Sequence, residues 1–165
     1  LEKEKHQRRH DIIPPQVKIA GNYTSSMMAK WQARKNGYDE IILTDDEGYI
    51  TEAPTSNVFI VNKDGCLLTA PEDEVLYGIT RLSILEIASD EGIDVKIEKI
   101  PLCELENAKE VFLTSSSHLV CPVIKIDNKP ISDGASGLLT NRLKERFLKI
   151  SKGQDIFFSN WLDEV

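Results

Sequence analysis

The chain of 165 residues is 41% hydrophobic and 28% charged, which supports one domain with a sizeable core and not clearly two. Its net charge of -7 argues against a nucleic-acid surface, because neutralising phosphates needs a clustered excess of Lys and Arg. No apolar run approaches a membrane span and no charged-then-apolar signal segment opens the chain, so neither a membrane nor an export route is expected and the expected address is cytoplasmic.

The basic residues that do cluster, Lys3, Lys5, Arg8 and Arg9, sit in a polar leader, Leu1 to His10, read as a solvated linker. The three cysteines, Cys66, Cys103 and Cys121, are odd in number and lack CxxC spacing, so reduced thiols are expected. His6, His10 and His118 share no metal-ligand spacing, and no metal is assigned.

An extended, proline-braked segment, Asp11 to Val17, leads to Lys18 at the mouth of a helix. Val17, Ile19, Ala20 and Gly21 are small or apolar neighbours that can desolvate an ammonium, as a Schiff-base lysine requires. The plainer alternative is an ordinary lysine at a strand end. From Asn22 to Asn36, Tyr23, Met27, Met28 and Trp31 recur at helical intervals and Gly37 marks the stop. The stripe Met27, Met28, Trp31 is expected in the core.

Glu40 to Thr44 reads as a strand, Asp45 to Gly48 as its turn and Tyr49 to Thr51 as the returning partner. After Glu52 comes a polar break, Ala53 to Asn57, and then Val58 to Val61, an apolar run suited to a sheet interior. A turn at Asn62 to Gly65 leads into Cys66 to Thr69. Leu76 to Thr80 closes a loop and opens a helix, Thr80 to Glu91, with Thr80 as cap, Gly92 as stop and Ile84, Leu85, Ile87 and Ala88 on the apolar face.

Asp94 to Ile100 alternates as a half-buried strand, and Pro101 to Ala108 is a short acidic helix or turn. Glu110 to Leu113 is another strand, Thr114 to Ser117 a hydroxyl-rich turn, and Leu119 to Ile126 a strand broken at Pro122. Asp127 to Lys129 suggests a hairpin. Leu138 to Ile150 returns to the helical period, and Phe157 to Leu162 is apolar enough to dock. Periodicity alone therefore gives a mixed α and β domain.

Three features besides Lys18 carry chemistry. Glu52 is either an inward carboxylate or an acidic turn residue. The unpaired N–H groups and the Thr80 hydroxyl at Leu76 to Thr80 suit a bound phosphate, or belong to a plain capped helix. Thr114 to Ser117 can hold an anion or satisfy its own turn. Together, an amine for an aldehyde, a carboxylate for a ring nitrogen and two anion cradles meet the requirements of pyridoxal phosphate.

Lys18-Ile-Ala-Gly-Asn-Tyr23, Tyr49-Ile-Thr-Glu52 running on to Asn57-Val-Phe, Gly78-Ile-Thr-Arg81, and Glu110-Val-Phe-Leu-Thr-Ser-Ser116-Ser117 with Pro122-Val123 resemble the class IV aminotransferases, the fold-type IV pyridoxal phosphate enzymes. Their order and spacing, and the closing Trp161 to Val165, are similar to the branched-chain subgroup. The resemblance implies an α+β (α/β) domain: a mixed, curved sheet or pseudobarrel flanked by helices, the large domain of the D-amino acid aminotransferase-like fold. It implies that Lys18 bonds the cofactor aldehyde and then shuttles a proton, that Tyr23 bonds the ring hydroxyl and that Glu52 keeps the pyridine nitrogen protonated. Leu76, Gly78, Ile79, Thr80 and Ser116 would hold the phosphate, and Ser116 with Ser117 would meet the substrate carboxylate.

The sequence departs from the family pattern in four places. Ala53 follows Glu52 where glycine is usual, Ser116 replaces a frequent threonine, and Ser117 and His118 stand where small apolar residues are common. Residues 1–14 are expected as the remnant of an interdomain linker and 15–165 as the C-terminal large cofactor-binding domain, without the family's smaller N-terminal domain. The chain is accordingly expected to be a fragment of a homodimeric enzyme and inactive by itself. The expected reaction transfers the amino group of a branched-chain L-amino acid to 2-oxoglutarate. D-amino acid transamination and an aminodeoxychorismate lyase reaction are the alternatives on the same scaffold, and a catalytically incomplete domain is the non-enzymatic one.

Overall fold

A computed structural model describes residues 13–163. The polar leader, the expected linker up to residue 12, and Glu164 and Val165 of the closing motif lie outside the described residues. The segment expected to be extended up to Val17 instead turns, with the Val17 N–H donating to Pro14 O at 3.1 Å.

Helix α1 (Ala20–Lys35) follows Ile19, whose extended backbone ends the turn. Its buried residues are Ser26, Ala29, Lys30 and Ala33, spaced as one helical stripe. The small Ala29 and Ala33 let the helix sit closely on Ile41 and Leu43, while the Lys30 ammonium pairs with Glu40 at 2.5 Å. The bulky stripe expected in the core therefore faces away: Met27, Met28 and Trp31 are 43%, 61% and 53% exposed.

Residues 41–45 are buried, but they form isolated bridges at Ile41 and at Thr44, the latter to Ile50, in place of the continuous strand expected from Glu40 to Thr44. The returning chain divides into β1 (Tyr49–Ile50) and β2 (Glu52–Ala53). Pro54 and Thr55 then make a tight connection to β3 (Ser56–Val61), so the expected polar break is a hairpin with Glu52 opposite Asn57 and Ala53 opposite Ser56. Strand β4 (Leu67–Thr69) runs antiparallel to β3.

Helix α2 (Ile79–Asp90) has Gly78 as its N-cap, which places Thr80 inside the first turn instead of capping it. The strand expected from Asp94 to Ile100 splits into β5 (Val95–Ile97), parallel to β4, and β6 (Ile100–Pro101), antiparallel to β1. A 3-10 turn, Leu102–Glu106, leads to β7 (Glu110–Ser115), which carries Thr114 and Ser115 as strand residues. Strand β8 (Leu119–Val123) runs through Pro122, tolerated because β8 is an outer strand of the sheet. A small hairpin of β9 (Lys125–Ile126) and β10 (Lys129–Pro130) precedes α3 (Leu138–Ser151) and the 3-10 segment Ile156–Trp161.

The main sheet is mixed and open, in the order β5-β4-β3-β7-β8, with β2 also on β3. Alternation along β3 sends Phe59 and Val61 to α2 and α3, where Ile84, Ile87, Ala88, Leu143 and Ile150 pack on them. Val58 and Ile60 point to the opposite core with Ile42, Ile50 and Leu68. Phe59 and Phe112 stack across β3 and β7 at 5.0 Å on the helix-covered side. The expected mixed sheet flanked by helices is thus the observed architecture, but the sheet stays open and does not close into the expected pseudobarrel.

Candidate functional site

Asn57 on β3 pairs with Glu52 on β2 and, on the other side, with Thr114 on β7. Residues directly opposite in paired strands share a face, so Glu52, Asn57 and Thr114 form one polar row across three strands. The row shares its side of β3 with Phe59 and lies near the N-terminus of α2. All three residues are buried.

The row forms part of the wall of a cavity of about 420 Å³. Lys18 and Tyr23 line it from the start of α1, Glu52 from β2, and Leu76, Gly78, Ile79 and Thr80 from the loop and first turn of α2. Ser116 and Ser117 line it from the turn after β7. The structure thus brings every sequence-selected site residue, from Lys18 to Ser117, to one hollow.

Glu52 accepts a hydrogen bond from the Leu76 N–H at 3.1 Å, and the Asn57 amide lies 3.5 Å from the same oxygen. The Asn57 amide also donates to Leu76 O at 2.9 Å. Asn22 ties down the other approach by donating to Val17 O at 2.7 Å and Pro14 O at 3.0 Å, which fixes the turn that presents Lys18. One expectation is corrected here: Lys18, Val17 and Ile19 are all exposed, so these neighbours do not desolvate the amine. A turn and an open helix mouth leave the lysine at the lip of the cavity instead of beneath an apolar cover.

At the phosphate-type cradle, the Gly78 N-cap makes no side-chain cap, and the first-turn N–H groups have no carbonyl four residues back within the helix. A Cβ on Gly78 would lie 2.2 Å from Asn57 Oδ1, so glycine is required by close approach. Arg81, in the same first turn, is fully buried and donates to Ala70 O at 2.9 Å, while its Nε and Nη1 have no hydrogen-bond partner. Burial pulls its guanidinium below the ordinary value, opposed by the nearby Glu72 charge. This buried cation adds to the positive end of the helix dipole.

The hydroxyl-rich turn partly satisfies itself. Ser115 Oγ accepts from the His118 N–H at 3.1 Å, and Ser117 Oγ lies 3.0 Å from His118 Nδ1. Thr114 Oγ1, by contrast, is buried against the cavity with no partner. An amine, a buried carboxylate, an uncapped helix start and an orphaned hydroxyl make a donor set that fits a phosphorylated pyridine aldehyde. Among the described residues no His, Cys, Asp or Glu cluster could hold a metal ion, and no helix is long and apolar enough to cross a membrane.

Sequence reasoning assigned no role to Asn57, Arg81 or Asn22, and took Thr114 only as part of a turn that could hold an anion. Asn57 and Arg81 stood within recognised motifs, but their contacts depend on the β2–β3 register and on the docking of α2.

The family profile described as Amino-transferase class IV matches residues 2–126. The chain belongs to this family. It is 36% identical over 162 residues to the probable branched-chain-amino-acid aminotransferase of Aquifex aeolicus (strain VF5), covering 96% of this chain and 52% of that protein. It is 40% identical over 141 residues to the putative branched-chain-amino-acid aminotransferase of Methanocaldococcus jannaschii, covering 85% and 48%. Among solved structures, the branched-chain amino acid aminotransferase from Thermobaculum terrenum in its PLP-form superposes with a TM-score of 0.93 at 30% identity, over 98% of this chain and 53% of that one. The chain spans about half the length of the relatives it matches.

Proposed function

We propose that this chain binds pyridoxal 5'-phosphate in the cavity and serves the transamination of a branched-chain L-amino acid with 2-oxoglutarate. The observation that carries this reading is the convergence of Lys18, Glu52 and the uncapped start of α2 on one hollow. The names of the relatives support the substrate class, and the solved relative in its PLP-form supports the cofactor.

When bound, the cofactor supplies an electrophilic carbonyl and an electron-withdrawing ring. Lys18 would hold it through its amine and would move the proton at the substrate carbon. Glu52, kept oriented by the Leu76 N–H, holds the proton on the ring nitrogen. Tyr23 bonds the ring hydroxyl. Ile79 and Thr80 would hold the phosphate by first-turn N–H and hydroxyl donors with Ser116. Leu76 and Gly78 would shape the loop around it, because their own N–H groups are taken by Glu52 and Leu76 O. Ser116 and Ser117 would orient the substrate carboxylate. The reading extends to a homodimer in the cytoplasm, a compartment supported by the free thiols of Cys66, Cys103 and Cys121.

The test is the visible spectrum of the protein with pyridoxal phosphate, followed by borohydride reduction and peptide mapping. A reduced adduct on Lys18 is expected, and its absence would overturn the reading. Comparing L- with D-substrates, and measuring pyruvate release from aminodeoxychorismate without an acceptor, separates the branched-chain L-transaminase from the two related activities.

A further inference from the structure

Leu76 is held through both of its main-chain polar groups. Its N–H donates to Glu52 Oε2 at 3.1 Å, and its carbonyl accepts from Asn57 Nδ2 at 2.9 Å. The same carbonyl also accepts the Gly78 N–H at 2.8 Å, closing a tight loop that leads directly into α2. Asn57 Oδ1 lies against Gly78 so closely that only hydrogen fits there.

The Asn57 amide has two hydrogens and two acceptors, Leu76 O at 2.9 Å and Glu52 Oε2 at 3.5 Å. The shorter bond carries most of the strength, and the longer one orients a charge. Both ends of this clamp stand on a single two-stranded pairing, Glu52 opposite Asn57, whose geometry is set by the sheet. The carboxylate and the helix start are therefore held as one rigid body, although 24 residues separate Glu52 from Leu76.

We infer that Asn57 is a positioning residue, which holds the loop Leu76 to Gly78 in register with Glu52 so that one bound molecule meets a carboxylate at one end and the α2 N-terminus at the other. This rests on the functional reading above and deepens it. A rigid molecule with a ring nitrogen and a phosphate has a fixed span, and a loop free to drift would lose the phosphate end first. Glu52 would still be held by the pairing of β2 with β3, so the loss falls on the phosphate side.

The test compares the wild-type protein with Asn57→Ala and the near-isosteric Asn57→Asp, titrated with pyridoxal 5'-phosphate and with pyridoxal, which lacks the phosphate. Losing a hydrogen bond in this buried cluster is expected to weaken pyridoxal phosphate binding by about tenfold. Pyridoxal affinity should change by less than about threefold, and the reduced adduct on Lys18 should still form at saturation. Equal losses for the two molecules, or pyridoxal phosphate affinity within about twofold of wild type in both variants, would overturn the inference. So would melting of both cofactor-free variants at assay temperature, which would assign Asn57 to the fold instead. If the wild-type protein itself forms no adduct on Lys18, the functional reading fails and takes this inference with it.

Discussion

The Leu76 N–H donates to Glu52 Oε2 at 3.1 Å, joining the loop before α2 to the edge of the sheet. Substituting Glu52→Gln keeps the side-chain shape and an oxygen for Leu76 but removes the charge. Pyridoxal phosphate affinity should stay within a few-fold, while the half-reaction with a branched-chain amino acid slows by on the order of a hundredfold or more. Single-turnover spectroscopy checks this, and an unchanged rate would remove Glu52 from its proposed place at the ring nitrogen.

Gly78 is filled from the side by Asn57 Oδ1, 2.2 Å from where a Cβ would sit. Its φ of -69° is open to any residue, so the constraint is contact and not backbone strain. Gly78→Ala should cost about 1–3 kcal/mol by overpacking, measured by denaturant unfolding. In the Asn57→Ala background the same change should cost clearly less, because the obstructing side chain is gone.

Glu110 caps a helix it does not belong to. Its carboxylate accepts from the Leu139 N–H at 3.0 Å and from the Thr140 N–H and hydroxyl, each at 2.7 Å. A Cβ on Gly137 would fall 2.0 Å from Glu110 Cδ, so the helix start and the strand end are fitted to each other. Glu110→Ala should lower stability by about 1–2 kcal/mol in urea unfolding while leaving pyridoxal affinity unchanged.

Cys66 gives a pH signature. Burial, then a hydrogen bond with Asp94, raise its thiol above the ordinary value of 9.0. The folded state therefore keeps this proton when the unfolded chain has begun to lose it. The contribution is fully present below pH 9.0 and is lost as the pH rises through the higher folded value. Melting temperatures between about pH 8 and 10 should fall more steeply for the wild-type protein than for Cys66→Ala. Parallel slopes would show that the thiol does not titrate differently in the two states.

The legible part of this protein was local. Turn residues, apolar runs and stop glycines marked α2, α3 and the strands around β3 and β7. The motif residues Lys18, Glu52, Gly78 and Ser116 stand out in the sequence alone, and they line one cavity. Less legible was which side of α1 is buried. Bulky Met27, Met28 and Trp31 mimic a core stripe, whereas close packing on Ile41 and Leu43 favours the small residues Ala29 and Ala33. The break at Ala53 to Asn57 looked like a loop because Pro54 and Thr55 are turn formers, yet they close a hairpin whose register is critical.

By itself the order of residues determined the supply of chemical groups and the local elements that carry them, because capping, turns and hydrophobic period act over a few positions. Only the tertiary structure decided that Asn57 faces Glu52 on one side and Thr114 on the other, that it reaches Leu76, and that Arg81 is enclosed behind the start of α2. Those relations join segments far apart along the chain. They arise from strand register and from seating a helix on a sheet, which are set by burial of the whole apolar surface and not by any one stretch of sequence.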